Sequence, residues 1–192
     1  MSHVLHADPI VHQLLLEIDR DIATEVRSGG CPACGGIVDV RNYLRKPRGG
    51  PAGLCEEHDL RFSYCCRADG CRAGLTPPSV RFFGRHVWFG AVVVLLSALQ
   101  HGVTPVRHER LSEHLDVSRR TLERWRRWWL ERFAACSFWT AARGRFATPV
   151  ETARLPASLL ECFAGDERER LLAALRFLGP ISVGSARHGL AS

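Results

Sequence analysis

A chain of 192 residues with 46% apolar content and a net charge of +6 can bury a core as one medium domain or two small ones, which excludes wholesale disorder. Its cations are 25 arginines and a single lysine, and where they cluster says more than their total. The strongest apolar run, 89–99, is too short to span a bilayer, so no membrane role is expected.

The N-terminus, Met1-Ser-His-Val-Leu-His-Ala-Asp-Pro9, lacks the basic start and apolar block of a secretory signal. A cytoplasmic location is therefore expected, and there paired cysteines favour metal over disulfides. Residues 9–27 read as an amphipathic helix. Asp8 is the N-cap, Pro9 suits the first turn, and Val11, Leu14, Leu15, Ile18, Ile22 and Val26 recur at helical spacing before Gly29-Gly30 stops it. The charged face is expected in solvent. The apolar stripe is expected against the rest of the chain or against a second copy, as in a homodimer. His3, His6 and His12 are assigned to a mobile N-terminus.

Residues 31–80 change character, with dense glycine, proline and cysteine and only short apolar runs. Cys31-Pro-Ala-Cys34 and Cys66-Arg-Ala-Asp-Gly-Cys71 each suit a tight knuckle, and together they make the four ligands of a structural zinc ion. Cys31 and Cys34 are the secure half. In the other half Cys66 and Cys71 are preferred, because Phe62, Tyr64 and Cys66 share one side of an alternating strand over 61–66 while Cys65 points away. Cys55-Glu-Glu-His58 is the rival pair, and Cys55, His58 or Cys65 could each replace a member of the second pair. A catalytic zinc is disfavoured: the deaminase pattern needs a His-x-Glu ahead of its cysteines, and none is present. Arg41, Arg45, Lys46 and Arg48 form a basic loop ending in turn residues, and Thr76-Pro77-Pro78 closes the segment.

Residues 84–133 read as helices only, over about 86–100, 106–115 and 118–133. The last two have helix-turn-helix spacing. Leu111, Leu115, Val117, Leu122 and Trp125 lock the pair, Ser112 is the small residue near the crossing, Asp116 takes the turn, and Ser118 caps the second helix. Leu122, Trp125, Trp129 and Phe133 make that helix's buried stripe. Arg120, Arg124 and Arg127 lie opposite, with Arg119 and Thr121 in the first turn, where a docked helix reaches base edges. The plain alternative is a solvated face with ion pairs such as Glu123–Arg127. Trp128 lies off the stripe, open to stacking on a DNA sugar or packing on the C-terminal helices. His101 and His114 are read as surface residues. Beyond come loops, helices near 157–163 and 166–178, and a disordered tail, with Cys136 and Cys162 as small buried residues.

The expected fold is mainly α: an N-terminal helix over 1–28, a zinc-ribbon-like β module over 29–80, a three-helix helix-turn-helix unit over 84–135, and a C-terminal helical extension over 136–192. Cys31-Pro-Ala-Cys34, the basic loop, Arg61-Phe-Ser-Tyr-Cys-Cys66, Gly70-Cys-Arg72, Pro77-Pro-Ser-Val-Arg-Phe82 and the helix-turn-helix together resemble the N-terminal region of insertion-sequence transposases and of small proteins carried on bacterial mobile elements. The resemblance covers roughly residues 31–132. It implies sequence-specific binding of double-stranded DNA by Ser118, Arg119, Arg120, Thr121, Arg124 and Arg127, with Cys31, Cys34, Cys66 and Cys71 holding zinc, in a nucleoid-associated accessory to transposition or recombination. It does not imply strand transfer or any other enzymatic activity, because the chain after Phe133 holds one aspartate, Asp166, and those transposases carry a later acidic triad. A separately encoded transposase or recombinase is the implied protein partner. A transcriptional regulator and a zinc-folded interaction module are the alternatives.

Overall fold

The computed structural model describes residues 5–83, 88–99 and 117–183. Within them the chain is mainly helical with small sheets. The expected helix over 106–115 lies outside the described residues, as do Leu111, Ser112, Leu115, Asp116, His3, His101, His114 and the tail from 184.

Helix α1 spans Pro9–Ser28. The Asp8 carboxylate accepts from the Ile10 N–H at 2.9 Å, satisfying one of the donors that a helix start leaves orphaned. Its buried face differs from the apolar stripe. Val11, His12, Leu15, Leu16, Asp19 and Ala23 are buried, whereas Ile18 and Ile22 are only partly so. The reason is that α1 serves two cores. Val11 and Leu15 enter the large helical core, and Leu16 and Ala23 enter a smaller one built by the cysteine segment. His12 is therefore no part of a mobile terminus: its Nε2 lies 2.8 Å from the His6 carbonyl and its ring meets Phe89 edge-on at 4.7 Å.

The cysteine segment contains five short strands: β1 (Val38–Val40), β2 (Tyr43–Leu44), β3 (Leu60–Arg61), β4 (Tyr64–Cys66) and β5 (Gly74–Leu75). They form a three-stranded sheet in the order β1-β4-β5 and a separate β2-β3 pair, antiparallel throughout. The single strand expected over 61–66 is thus divided between two sheets, with Phe62 and Ser63 as the joint. Its alternation survives the division, since Phe62, Tyr64 and Cys66 are all buried in the smaller core. The Tyr64 hydroxyl donates to the Ala23 carbonyl at 2.8 Å, tying β4 to α1.

The helical part is built round α2 (Gly90–Leu99), in which every residue from Ala91 to Ala98 is buried. An apolar run with no polar face fits only such a central position. Around it lie α3 (Arg119–Arg127), α5 (Ala157–Glu161) and α6 (Glu167–Leu178). Asp166 and Glu169 form a reciprocal capping box at the start of α6. Helix α4 (Ser137–Ala142) occupies residues expected as loop. It is nucleated by the Cys136 thiol, which accepts from the Trp139 N–H at 3.4 Å, a capping role that treating Cys136 as a plain apolar residue misses.

Helix α3 runs on into a π-helical turn, Trp128–Phe133. The wider turn swings residues five apart onto one side. Trp128 accordingly packs on Phe83 (6.3 Å), Trp129 (4.8 Å) and Phe133 (5.7 Å), so its place is the edge of the aromatic core.

Two further features join the cysteine segment to the helices. Asp19 of α1 and Arg81 are both fully buried and paired at 2.8 Å. Further on, the basic loop crosses the start of α2 closely: the Phe89 N–H donates to the Arg48 carbonyl at 3.1 Å, and Arg48 bridges to Trp88. Gly49, at φ +82°, and Gly50 allow that approach. A Cβ at Gly49 would lie 2.9 Å from a Val92 methyl, and one at Gly50 2.6 Å from the Phe89 ring.

Candidate metal centre and basic helix face

Short strands cannot close a core by themselves, and the cysteine segment gathers four thiols where a core would be. Cys31 and Cys34 sit in a turn closed by Gly35 N–H to the Cys31 carbonyl at 2.7 Å and by Cys31 N–H to the Gly36 carbonyl at 2.9 Å. Cys66 ends β4, and Cys71 sits in the following turn, its N–H donating to the Ala68 carbonyl at 3.2 Å. Pairing of Val38 with Cys66 across β1–β4 and donation from Arg67 N–H to the Ile37 carbonyl at 2.9 Å bring the two knuckles face to face.

The four sulfur atoms all lie within 4.8 Å of one another. Cys31 to Cys71 is 3.7 Å and Cys34 to Cys66 is 3.5 Å. These distances far exceed a disulfide bond. They match the edge of a tetrahedron round an ion held by thiolates, about 3.8 Å for a metal–sulfur distance of ~2.3 Å. Gly36 backs the cluster: a Cβ there would sit 3.3 Å from the Cys34 sulfur and 3.5 Å from that of Cys66. Backbone N–H groups aim at the sulfurs. Donation from Ala33 and then Cys34 lowers the Cys31 thiol to about 7. Donation from Ala68 favours the Cys66 thiolate too, yet burial and the neighbouring thiols outweigh it and push Cys66 up to about 12. Crowded thiols of this kind want a cation among them. All four positions of a tetrahedron are taken by cysteine, so the donor set fits a closed metal site with no place for substrate.

The rival ligands are elsewhere. Cys65 lies on the other face of β4, its sulfur 3.6 Å from the Arg72 carbonyl. Cys55 meets the Nδ1 of His58 at 3.2 Å in the turn Glu56–Asp59. Among the described residues no other group of three or more ligands converges.

The second candidate surface is α3. The Ser118 hydroxyl caps it, accepting from the Thr121 N–H at 3.3 Å. Leu122, Trp125, Trp129 and Phe133 are all buried, and the Trp125 ring packs edge-on against Trp88 at 5.8 Å. Arg119, Arg120, Arg124, Arg126 and Arg127 are all exposed. Thr121 is half-buried, its hydroxyl 3.1 Å from that of Ser118. Glu123 pairs with Arg119 at 3.1 Å, not with Arg127. Among the described residues Arg120, Arg124 and Arg127 make no ion pair, so the helix turns a net cationic face outward.

Sequence reasoning overlooked Asp19 and Arg81. The signal was present in part: His12, Leu16, Asp19 and Ala23 recur at spacings of three and four, the pattern of one helix face. An aspartate in such a row calls for a buried cation.

Comparison with family models, with curated proteins and with solved structures finds no match to this chain. None of the described helices is long and apolar enough to cross a membrane.

Proposed function

We propose that this protein binds double-stranded DNA through the arginine face of α3, with zinc held by Cys31, Cys34, Cys66 and Cys71 as a structural ion. The observation that carries the reading is the outward array of Arg120, Arg124 and Arg127 on a helix whose opposite face, Leu122 and Trp125, is locked into the core. Arginine on a rigid helix can pair bidentately with guanine or clamp phosphates. The thiolate cluster suits zinc because an all-sulfur tetrahedral set is soft and closed, though iron shares that preference. The basic loop adds the exposed cations Arg41, Lys46 and Arg48, and the Arg48 backbone is anchored on Trp88 and Phe89, of which Trp88 packs against Trp125 of α3. In this reading the four thiols do no chemistry. They shape the module that holds the basic loop, and they keep water and substrate away from the ion.

A role as an accessory factor in transposition or recombination, alongside a separately encoded recombinase, fits the motif resemblance described above. Metal analysis of the purified protein, joined to fluorescence anisotropy with duplex DNA at graded salt, tests the reading. One zinc per chain is expected, with affinity that falls steeply as salt rises. Arg120→Ala or Arg124→Ala should weaken binding by about 1–3 kcal/mol where the side chain reads a base. A metal-free protein that ignores duplex DNA in dilute buffer would overturn it.

A further inference from the structure

The sulfur atoms of this chain differ in what they touch. Cys31, Cys34, Cys66 and Cys71 form the cluster. The Cys65 sulfur lies against the Arg72 carbonyl, the Cys136 thiol caps α4, and the Cys162 thiol donates to the Ser158 carbonyl at 3.2 Å. Cys55 alone is exposed outside the cluster, and its sulfur meets a base: the Nδ1 of His58 lies 3.2 Å away. That is the reach of a nucleophile and the group that takes its proton.

The contact is held on the histidine side. His58 is 3% exposed, so a buried imidazole meets an exposed thiol. The His58 N–H donates to the Cys55 carbonyl at 3.0 Å, and Arg81 donates to the carbonyls of Glu57 and His58 at 3.1 and 3.0 Å, which fixes the turn. The ring's Nε2 is buried without a hydrogen-bond partner, and this leaves Nδ1 as the nitrogen that can exchange a proton. Burial lowers His58 below 6.5 by more than the Cys55 carbonyl raises it, so the ring is neutral at about pH 7 and free to accept one. A proton placed on Nδ1 finds an acceptor ready, since the Cys55 carbonyl oxygen is 3.3 Å away. The charges that act on the ring are Arg81, Glu57 and Arg20, the last two paired at 2.9 Å, and His12 of α1 is also within Coulombic reach.

We propose that Cys55 is a site of reversible S-thiolation by low-molecular-weight disulfides, with His58 as its base. The Cys55 sulfur gives its proton to Nδ1 and attacks one sulfur of the disulfide. A new S–S bond forms to Cys55, the old one breaks, and its electron pair leaves on the second sulfur, which takes the proton back from His58 as a free thiol. The disulfide is the oxidant and Cys55 the group oxidised, so no further reactant is needed. The other sulfurs are engaged elsewhere, and the adduct therefore persists until an external thiol removes it by the reverse exchange. This site is independent of the DNA-binding reading.

The test uses the full chain with 4,4′-dithiodipyridine as the disulfide, the released thiopyridone followed by absorbance and the modified cysteine assigned by peptide mass spectrometry. At about pH 7 Cys55 should react roughly tenfold or more faster than Cys65 and Cys162 of the same chain. Its rate should hold a plateau through neutral pH, where an unassisted thiol still rises towards about 8.5. Dithiothreitol should return the unmodified mass. His58→Asn, which keeps a hydrogen-bond acceptor near Nδ1 but no base, should abolish the plateau and leave the profile of an ordinary thiol. The rate comparison and the plateau are read on the unaltered chain, so they decide the matter even where that variant folds poorly. Reaction at Cys55 no faster than at Cys65 and Cys162, a profile without the plateau, or a plateau that survives in folded His58→Asn would each overturn the proposal.

Discussion

Asp19 and Arg81 meet at 2.8 Å with both side chains at 0% exposure, and between them they join three parts of the molecule. The Asp19 carboxylate also accepts from the Ser79 hydroxyl at 2.6 Å and the Val80 N–H at 2.7 Å. The remaining N–H groups of Arg81 donate to the carbonyls of Glu57, His58 and Leu60 at 3.1, 3.0 and 2.9 Å. Helix α1, the turn Glu56–Asp59 and the strand-like run into the helical core are thereby held at one point. A buried pair contributes little net stability over an apolar substitute, but half of one is very unfavourable.

Asp19→Asn or Arg81→Met alone should therefore lower unfolding free energy by about 3–5 kcal/mol, because each leaves a buried charge without its counterpart. The double variant should lose much less than the sum of the two. Denaturant midpoints of the three variants measure the coupling, and simple additivity would show that the pair is not a unit.

If the four thiols hold a metal ion as proposed, removing it should affect one half of the molecule far more than the other. Chelation, or Cys71→Ser, is expected to erase the amide signals of β1, β4 and β5 while the α2 and α6 signals persist, since the helical core has its own apolar packing. Thiolate ligands must shed protons to bind, so affinity should rise with pH. With Cys31 near 7 and Cys66 pushed up to about 12, binding near neutrality should release protons, measurable by calorimetry in buffers of different ionisation enthalpy. Buffer-independent heats would contradict a thiolate site.

Gly50→Val should detach the basic loop. A side chain there meets the Phe89 ring at 2.6 Å and Leu54 at 3.1 Å, and neither backbone nor a packed aromatic can yield that much. Hydrogen exchange should quicken at the Phe89 amide, which donates to Arg48, and DNA affinity should fall even though no cation has been removed. Unchanged exchange at Phe89 would mean that the loop is held elsewhere.

Two histidines make folding sensitive to mild acid. Burial lowers both His12 and His58 below the ordinary 6.5. The folded chain then binds fewer protons than the unfolded one beneath that pH, so stability is complete above about 6.5 and declines as pH falls through the lowered values. Imidazole NMR titration should find His12 still neutral at a pH where an exposed histidine has become charged. A titration midpoint for His12 at or above 6.5 would refute the burial argument.

Features that depend on neighbours a few residues apart were legible in the chain itself. Asp8 and Ser118 cap their helices because a short oxygen-bearing side chain at that position meets the N–H two or three residues on. The knuckle spacing of Cys31–Cys34 and Cys66–Cys71, the buried stripe from Leu122 to Phe133 and the α2 run, apolar but for Ser97, are local patterns of the same kind. Long-range packing decided the rest. Which thiols meet depended on β1 and β4 pairing across residues 38–66, and that pairing left Cys55 and His58 with each other. The second buried face of α1, the Asp19–Arg81 pair, the inward turn of Trp128 and the need for Gly49 and Gly50 all arise where segments distant along the chain are pressed together. Periodicity reports which side of an element is apolar, whereas a helix shared by two cores and a glycine beneath another segment's ring are determined by partners that no local window contains.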